Sequence, residues 1–401
     1  MQTLQIQNIK FQKLDYQHIF KRYADYFIFV LLCLYSFVDC LTGIAKIIGM
    51  PSPGSIYKLL LMGIMVVSLT SYYSILIPLF FFTATCVSCL VYVFLPYTNF
   101  NETLSMVLRI ILAPVIYVYL NSFFRNNKDS KKIISYIFGF NFYTLLVNQL
   151  FGILGFGGST YSDAEDGFGI KGFFYDGNAL AVVLLCFFVF YFTINKSKLK
   201  SFLLFLIAVM VATKTAILGI VLFFFIYSYF SSSRKNKRRI FLLFIIVVSV
   251  FLYLIFETDL FSYHVEKIKR MYELFDGHIL DIALSGRSRD LQTHYKFYHE
   301  HFSLSQLLFG YGYRLNSKII ELDPFDTLFS YGLLIFIPVF FFYLYLAYQN
   351  RKKLNLSIFN LLYFFISLTS GHVWYNTSAA LFFCLLNIYG NIENSVGTRN
   401  D

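Results

Sequence analysis

Charge is what this chain has least of. Asp, Glu, Lys and Arg make up 14% of its 401 residues, against about 25% in a soluble domain. A chain so poor in charge cannot clothe itself in a polar surface, which excludes a soluble globular protein. There is no glycine loop of the nucleotide-cradling kind and no evident cage of metal ligands, so neither cofactor nor metal is expected. Cysteine is no framework either: Cys33, Cys40, Cys86, Cys89, Cys186 and Cys384 all lie inside apolar segments. Cys86 and Cys89 have redox or metal spacing, but with no second pair and no nearby histidine their expected role is buried helix packing. A cleavable signal peptide is not expected, because the residues up to Tyr26 are polar and mixed and the first apolar run is too long for one.

What the chain does have is hydrocarbon. Hydrophobic residues make up 58% of it and the mean hydropathy is +0.63. Apolar runs of roughly 18 or more residues recur, the length at which a helix crosses a bilayer. The pattern predicts an all-α polytopic membrane protein of about twelve transmembrane helices. The spans fall near 26–48, 56–71, 74–95, 103–124, 133–154 and 173–195. Two short helices in 201–230 meet at Thr213-Lys214-Thr215, 240–256 and 325–348 follow, and two more in 354–389 are interrupted at Ser370-Gly371-His372. The net charge of +11 sits in short clusters beside the apolar runs. That is the positive-inside pattern, not a stripe for nucleic acid, and it places both termini in the cytoplasm. Three parts result: an N-terminal bundle of about nine spans (1–256), a large loop (257–322) and C-terminal helices with a tail (323–401). The loop between spans nine and ten carries nine acidic and eight basic residues, so no positive bias holds it inside and it is expected to face outward, partly helical.

Polar chemistry concentrates in that loop and in the helix breaks. Five of the seven histidines lie in the loop, with Arg287, Arg289 and Arg314. Ser285-Gly286-Arg287-Ser288-Arg289-Asp290 starts an outer helix whose guanidiniums match phosphate oxygens; a solvated helix start with internal Arg–Asp pairs is the plainer alternative. Leu308-Phe309-Gly310-Tyr311-Gly312-Tyr313 is either a turn whose tyrosines stack on sugars, Tyr311 among them, or a simple turn. Where the loop rejoins the membrane, Glu321, Asp323 and Asp326 offer a general base or, for Asp323 ahead of Pro324, a helix cap. Lys214 sits between two apolar stretches, where a cation costs about 2.5–3.5 kcal/mol and is functional by default, snorkelling being the alternative. His372, at a break beside the sole tryptophan, is a site residue or an interfacial anchor. Asn101-Glu102-Thr103 and Asn376-Thr377-Ser378 match glycan acceptors, a pattern common by chance.

In this order and topology the features resemble the Wzy-type polysaccharide polymerases of the O-antigen ligase-like superfamily. The likeness covers most of the second half: Gly172-Phe173-Phe174-Tyr175-Asp176-Gly177-Asn178-Ala179 opening a span, Thr213-Lys214-Thr215, Ser285-Gly286-Arg287, Leu308-Phe309-Gly310-Tyr311-Gly312, Tyr331-Gly332 and Ser370-Gly371-His372. It implies a metal-independent glycosyltransferase of the bacterial cytoplasmic (inner) membrane that joins polyprenyl-diphosphate-linked oligosaccharide repeats, made for an O-antigen or a capsule, at the outer face. The lipid bilayer is then the medium of its substrates, and a chain-length regulator protein a partner that the likeness allows. In that family Arg287 would hold diphosphate and Lys214 would stand where an arginine is common. A carboxylate replaces the histidine that the ligase branch carries near Glu321, which leaves Glu321 or Asp323 as the base. Arg289, Arg314, Tyr311, Asp326 and His372 complete the expected substrate contacts. A ligase of the same superfamily, a flippase for lipid-linked oligosaccharide and a membrane-bound acyltransferase are the rival functions.

Overall fold

The computed structural model describes residues 23–69, 86, 100–125, 127, 129–161, 168–257, 266, 269, 272–279, 281, 284, 286–300, 303–312, 320–371 and 373–397. In chain order they form α1 (Tyr23–Cys33), α2 (Tyr35–Ile47), α3 (Pro53–Leu69), α4 (Phe100–Arg125) and α5 (Ser130–Ile153). A hairpin of β1 (Gly158–Tyr161) and β2 (Phe168–Gly172) precedes α6 (Gly177–Val189), which runs on through a π-turn over Phe190–Ile194. Then come α7 (Lys198–Val211), α8 (Lys214–Ser231), α9 (Arg234–Glu257), α10 (Arg287–Glu300) and α11 (Leu304–Phe309). The last three helices are α12 (Asp323–Gln349), α13 (Leu354–Thr369) and α14 (Thr377–Gly397).

Two helices form the centre of the bundle. Every side chain from Ala179 to Tyr191 in α6, and from Ala379 to Ile388 in α14, is buried. A helix that is apolar all round can satisfy itself only by being surrounded. So α6 packs on α7, α8, α13 and α14, while α14 packs on α4, α5 and α6. Asp176 fixes where α6 begins, its carboxylate accepting from the Asn178 N–H at 3.0 Å. Outward faces carry bare apolar side chains instead, such as Ile56 and Leu59 on α3, Phe140 on α5 and Phe341 on α12. In water such faces would be untenable; against lipid they are at rest.

Among the described residues, five helices are long and apolar enough to cross a membrane, and a sixth if α1 and α2, bent by 55°, make one span. Pro53–Leu69, Leu354–Thr369 and Thr377–Ile392 are shorter apolar helices. The chain is an all-α polytopic membrane protein whose only strands among the described residues are β1 and β2. That hairpin occupies part of the glycine-rich 155–172 stretch; Asp163, Glu165 and Asp166 lie outside the described residues. So does the expected span at 74–95, apart from Cys86, which is helical and exposed rather than packed among other side chains.

Three interruptions in the helices shape one end of the bundle. Between α7 and α8, Ala212 turns left-handed (φ 58) and the Thr213 hydroxyl accepts from the Ala216 N–H at 3.2 Å, capping α8. Inside α12, Gly332 leaves the helical region (φ 66, ψ −174). That break frees the carbonyls of Phe329 and Ser330, which accept instead from the N–H groups of Tyr311 (2.9 Å) and Gly312 (2.8 Å). The glycine-aromatic turn after α11 therefore completes the broken helix, as backbone at membrane depth requires. Between α13 and α14, the Asn376 carboxamide accepts from the N–H groups of Ser378 and Ala379, so Asn376-Thr377-Ser378 is a helix cap.

Candidate functional site

The breaks converge. Thr215, beside Lys214 in the first turn of α8, donates its hydroxyl hydrogen bond to Ser370 at 3.1 Å. Arg287, the first residue of α10, donates from Nη1 to the carbonyl of Thr369, the last residue of α13, at 3.0 Å. Glu321 lies against the next residue but one: a Cβ on Gly371 would stand 2.1 Å from the Glu321 carbonyl oxygen. One three-residue stretch thus touches the neighbourhood of Lys214, Arg287 and Glu321. The starts of α8 and α10 each carry a cation in the first helical position, where the helix dipole disfavours one. An anion at such an end would gain from both the cation's charge and the helix dipole.

Arg287 and Glu321 form an ion pair, Nη2 at 2.5 Å and Nε at 3.2 Å from the same carboxylate oxygen. Their side chains are 18% and 33% exposed, so the pair is open to whatever fills the space beside it. Because Glu321 keeps a third of its side chain exposed, the guanidinium's partner can be exchanged for another anion without leaving a fully buried charge behind. Glu321 itself sits in the left-handed region (φ 65), a conformation that costs a non-glycine residue about 1–2 kcal/mol. The first turn of α12 holds it there. Asp326 accepts from the N–H groups of Ile320 and Leu322, each at 3.0 Å, clamping the backbone on both sides of Glu321.

Arg287 is placed by a second clamp. The Gly286 N–H donates to the Asp281 carbonyl at 2.7 Å, and the Asp281 carboxylate accepts from the Ser288 hydroxyl and from Arg289 Nε at 3.0 Å. These bonds, the Ser288 one first, hold the Asp281 carboxyl below the usual carboxylate range. Arg289 then lies over the Phe275 ring, 4.7 Å from its centroid. Leu291 and Tyr298 of α10 pack on Ile320, Leu322 and Phe329, docking the helix onto the start of α12.

Other sequence candidates turn out to build the frame. Asp323 is fully buried and its Oδ2 accepts from the N–H groups of Val373 (2.7 Å) and Trp374 (2.9 Å), holding the segment between α13 and α14. Tyr311 is buried among Phe297 and Tyr298, with its hydroxyl donating to the Tyr298 carbonyl at 3.1 Å; no face of its ring is offered to a sugar. Arg289 belongs to the Asp281 turn. Arg314 and His372 lie outside the described residues.

Sequence reasoning passed over a second polar cluster. Asp39, Lys58 and Arg109 sit inside apolar helices, the signal that should have singled them out. Asp39 is buried, pairs with Lys58 Nζ at 2.9 Å and accepts from the Ser378 hydroxyl. All three line a cleft of about 380 Å³ walled also by Ser55, Ser105, Tyr175 and Thr377. Tyr375 and Asn376 line it too, so the segment that meets Glu321 at Gly371 reaches the cleft a few residues later. In comparisons with family models, curated proteins and solved structures, the chain matches none.

Proposed function

We propose that this protein is a membrane glycosyltransferase that polymerises polyprenyl-diphosphate-linked oligosaccharide repeats into a surface polysaccharide. The observation that carries the reading is the meeting of Arg287, Glu321 and the helix start holding Lys214 at Thr369–Gly371. Here a hydroxyl oxygen of the acceptor sugar attacks the anomeric carbon of the donor. The bond from that carbon to the diphosphate oxygen breaks, and its electron pair leaves on the diphosphate. Arg287 and Lys214 balance that growing charge, while Glu321 takes the hydroxyl proton. Binding of diphosphate draws the Arg287 guanidinium away from Glu321, so donor arrival itself releases the base. Asp326, bonded through both oxygens, and Asp323, bonded through Oδ2 to two backbone N–H groups, hold the site and have no part in the proposed reaction.

The side of the membrane comes from the basic clusters. Lys198 begins α7, Arg234 comes after α8, and Arg351 to Lys353 lie between α12 and α13; each of these helices has its break at the other end. With basic ends inside, the site is outside, in a chain of about twelve spans with both termini in the cytoplasm of a bacterium. At 14 and 16 residues, α7 and α13 are about 21 and 24 Å long against roughly 30 Å of hydrocarbon. The site therefore lies below the outer surface, within reach of a lipid-borne diphosphate. A flippase would instead need its charges spread through the bundle; Asp39, Lys58 and Arg109 surround the capped start of α14, at the same end as Gly371. Supplying the purified protein with a lipid-linked repeat and no other sugar donor is the test. A ladder of longer products supports polymerisation; a single transfer to another glycan or lipid supports the ligase, and no transfer contradicts both.

A further inference from the structure

The cleft beside the site has its own chemistry. Arg109 is exposed on α4, one turn from Ser105 and within 4.0 Å of the Met106 sulfur. An arginine within an apolar helix costs about 2.5–3.5 kcal/mol to insert, so it persists where something repays it. Lys58, on the facing helix α3, has its charge offset by Asp39, which leaves the guanidinium as the surplus charge of the lining. At the rim, Lys46 lies over the ring of Tyr175, 4.9 Å from its centroid. Lys171 on β2 has its ammonium pKa pushed down first by burial and then by Lys46, with Asp176 acting in the opposite sense. Hydroxyls and an amide complete the lining: Thr42, Ser52, Ser55, Ser105 and Thr377, with Asn376. The remaining walls are Leu59, Met62, Leu108 and Leu112, and Leu59 is 58% exposed on the outward face of α3. A cationic, hydroxyl-rich floor opening beside a lipid-facing helix fits a phosphate that arrives on a hydrocarbon chain.

We propose that this cleft binds the phosphate or diphosphate headgroup of a membrane lipid, with Arg109 as its principal contact. If the polymerase reading above holds, the lipid is the second of the two lipid-linked chains, kept one short segment (371–377) away from the first. The binding itself does not depend on that reading. The test counts polyprenyl diphosphate retained by the purified protein in native mass spectra, for wild type, Arg109→Ala, Arg109→Lys and Arg287→Ala. Arg109→Ala is expected to lose one lipid per chain whatever the total, with at least a tenfold weaker affinity, and Arg109→Lys to retain part of it. Unchanged retention in Arg109→Ala overturns the proposal, as does equal loss in both Arg109 variants. Inorganic diphosphate displacing the lipid at equal concentration would make the ligand a soluble anion and also overturn it. Arg287→Ala separates the two claims: if it loses no lipid while Arg109→Ala does, the polymerase site fails and the cleft stands.

Discussion

At the scale of single residues, carboxylates that look alike in the sequence do different work because their surroundings differ. Asp323 and Asp326 are buried and accept from backbone N–H groups, Asp323 through Oδ2 and Asp326 through both oxygens, whereas Glu321 is a third exposed and faces a guanidinium. Replacing Asp323 with alanine strands two buried donors at Val373 and Trp374, at about 1–3 kcal/mol each. The expected result is a clear fall in the thermal unfolding temperature of the purified protein. Glu321→Gln should leave that temperature close to wild type and lower the transfer rate by about 10²–10⁴, the range of a lost general base. Asp281 gives a dependence on pH. Its carboxyl is held below its ordinary 3.8, so it stabilises the start of α10 above that value and ceases to do so as the pH falls through the lowered one. Hydrogen exchange over 281–300 should therefore be faster in Asp281→Asn than in wild type at neutral pH, with the difference closing below 3.8.

At the scale of elements, the helix ends were largely legible and the reasons for the breaks were not. Basic clusters and polar interruptions mark the limits of α5, α8, α12 and α13 within a few residues, because charge cannot enter hydrocarbon cheaply. Asp176 and Thr213 act as the capping side chains that Asp and Thr commonly are. The pairing of Gly310 with Gly332 was hidden, since it joins residues of two separate motifs through backbone alone. A Cβ at Gly332 would lie 2.4 Å from the Leu308 carbonyl, and its backbone angles suit glycine almost exclusively. Gly332→Ala should cost of order 1–3 kcal/mol from backbone strain before any clash, read as a lower unfolding temperature and faster proteolysis at 303–312. The Lys214 break can be checked in the same way: cysteines replacing Thr215 and Ser370, whose hydroxyls are 3.1 Å apart, should cross-link on mild oxidation.

At the scale of the whole molecule, composition alone was enough to establish a helical membrane protein, and the site was half visible. Glu321 and Lys214 stood out because each is charged beside an apolar stretch, and Arg287 because its guanidinium, at an outer helix start, matches phosphate oxygens. That Arg287 and Glu321 meet, with the start of α8 alongside, could not be read from the chain, for the stretch that gathers them, Thr369–Gly371, is itself unremarkable in charge. Asp39, Lys58 and Arg109 went unread because each sits singly in an apolar run that otherwise spells a plain span, and only packing of α2, α3 and α4 puts them in one cleft. If one guanidinium holds the departing diphosphate, its removal is best read in polymer formation from a lipid-linked repeat by Arg287→Ala at matched membrane insertion. The ladder is then expected to disappear while the protein inserts and unfolds as wild type does; a ladder of undiminished length and yield would contradict that role.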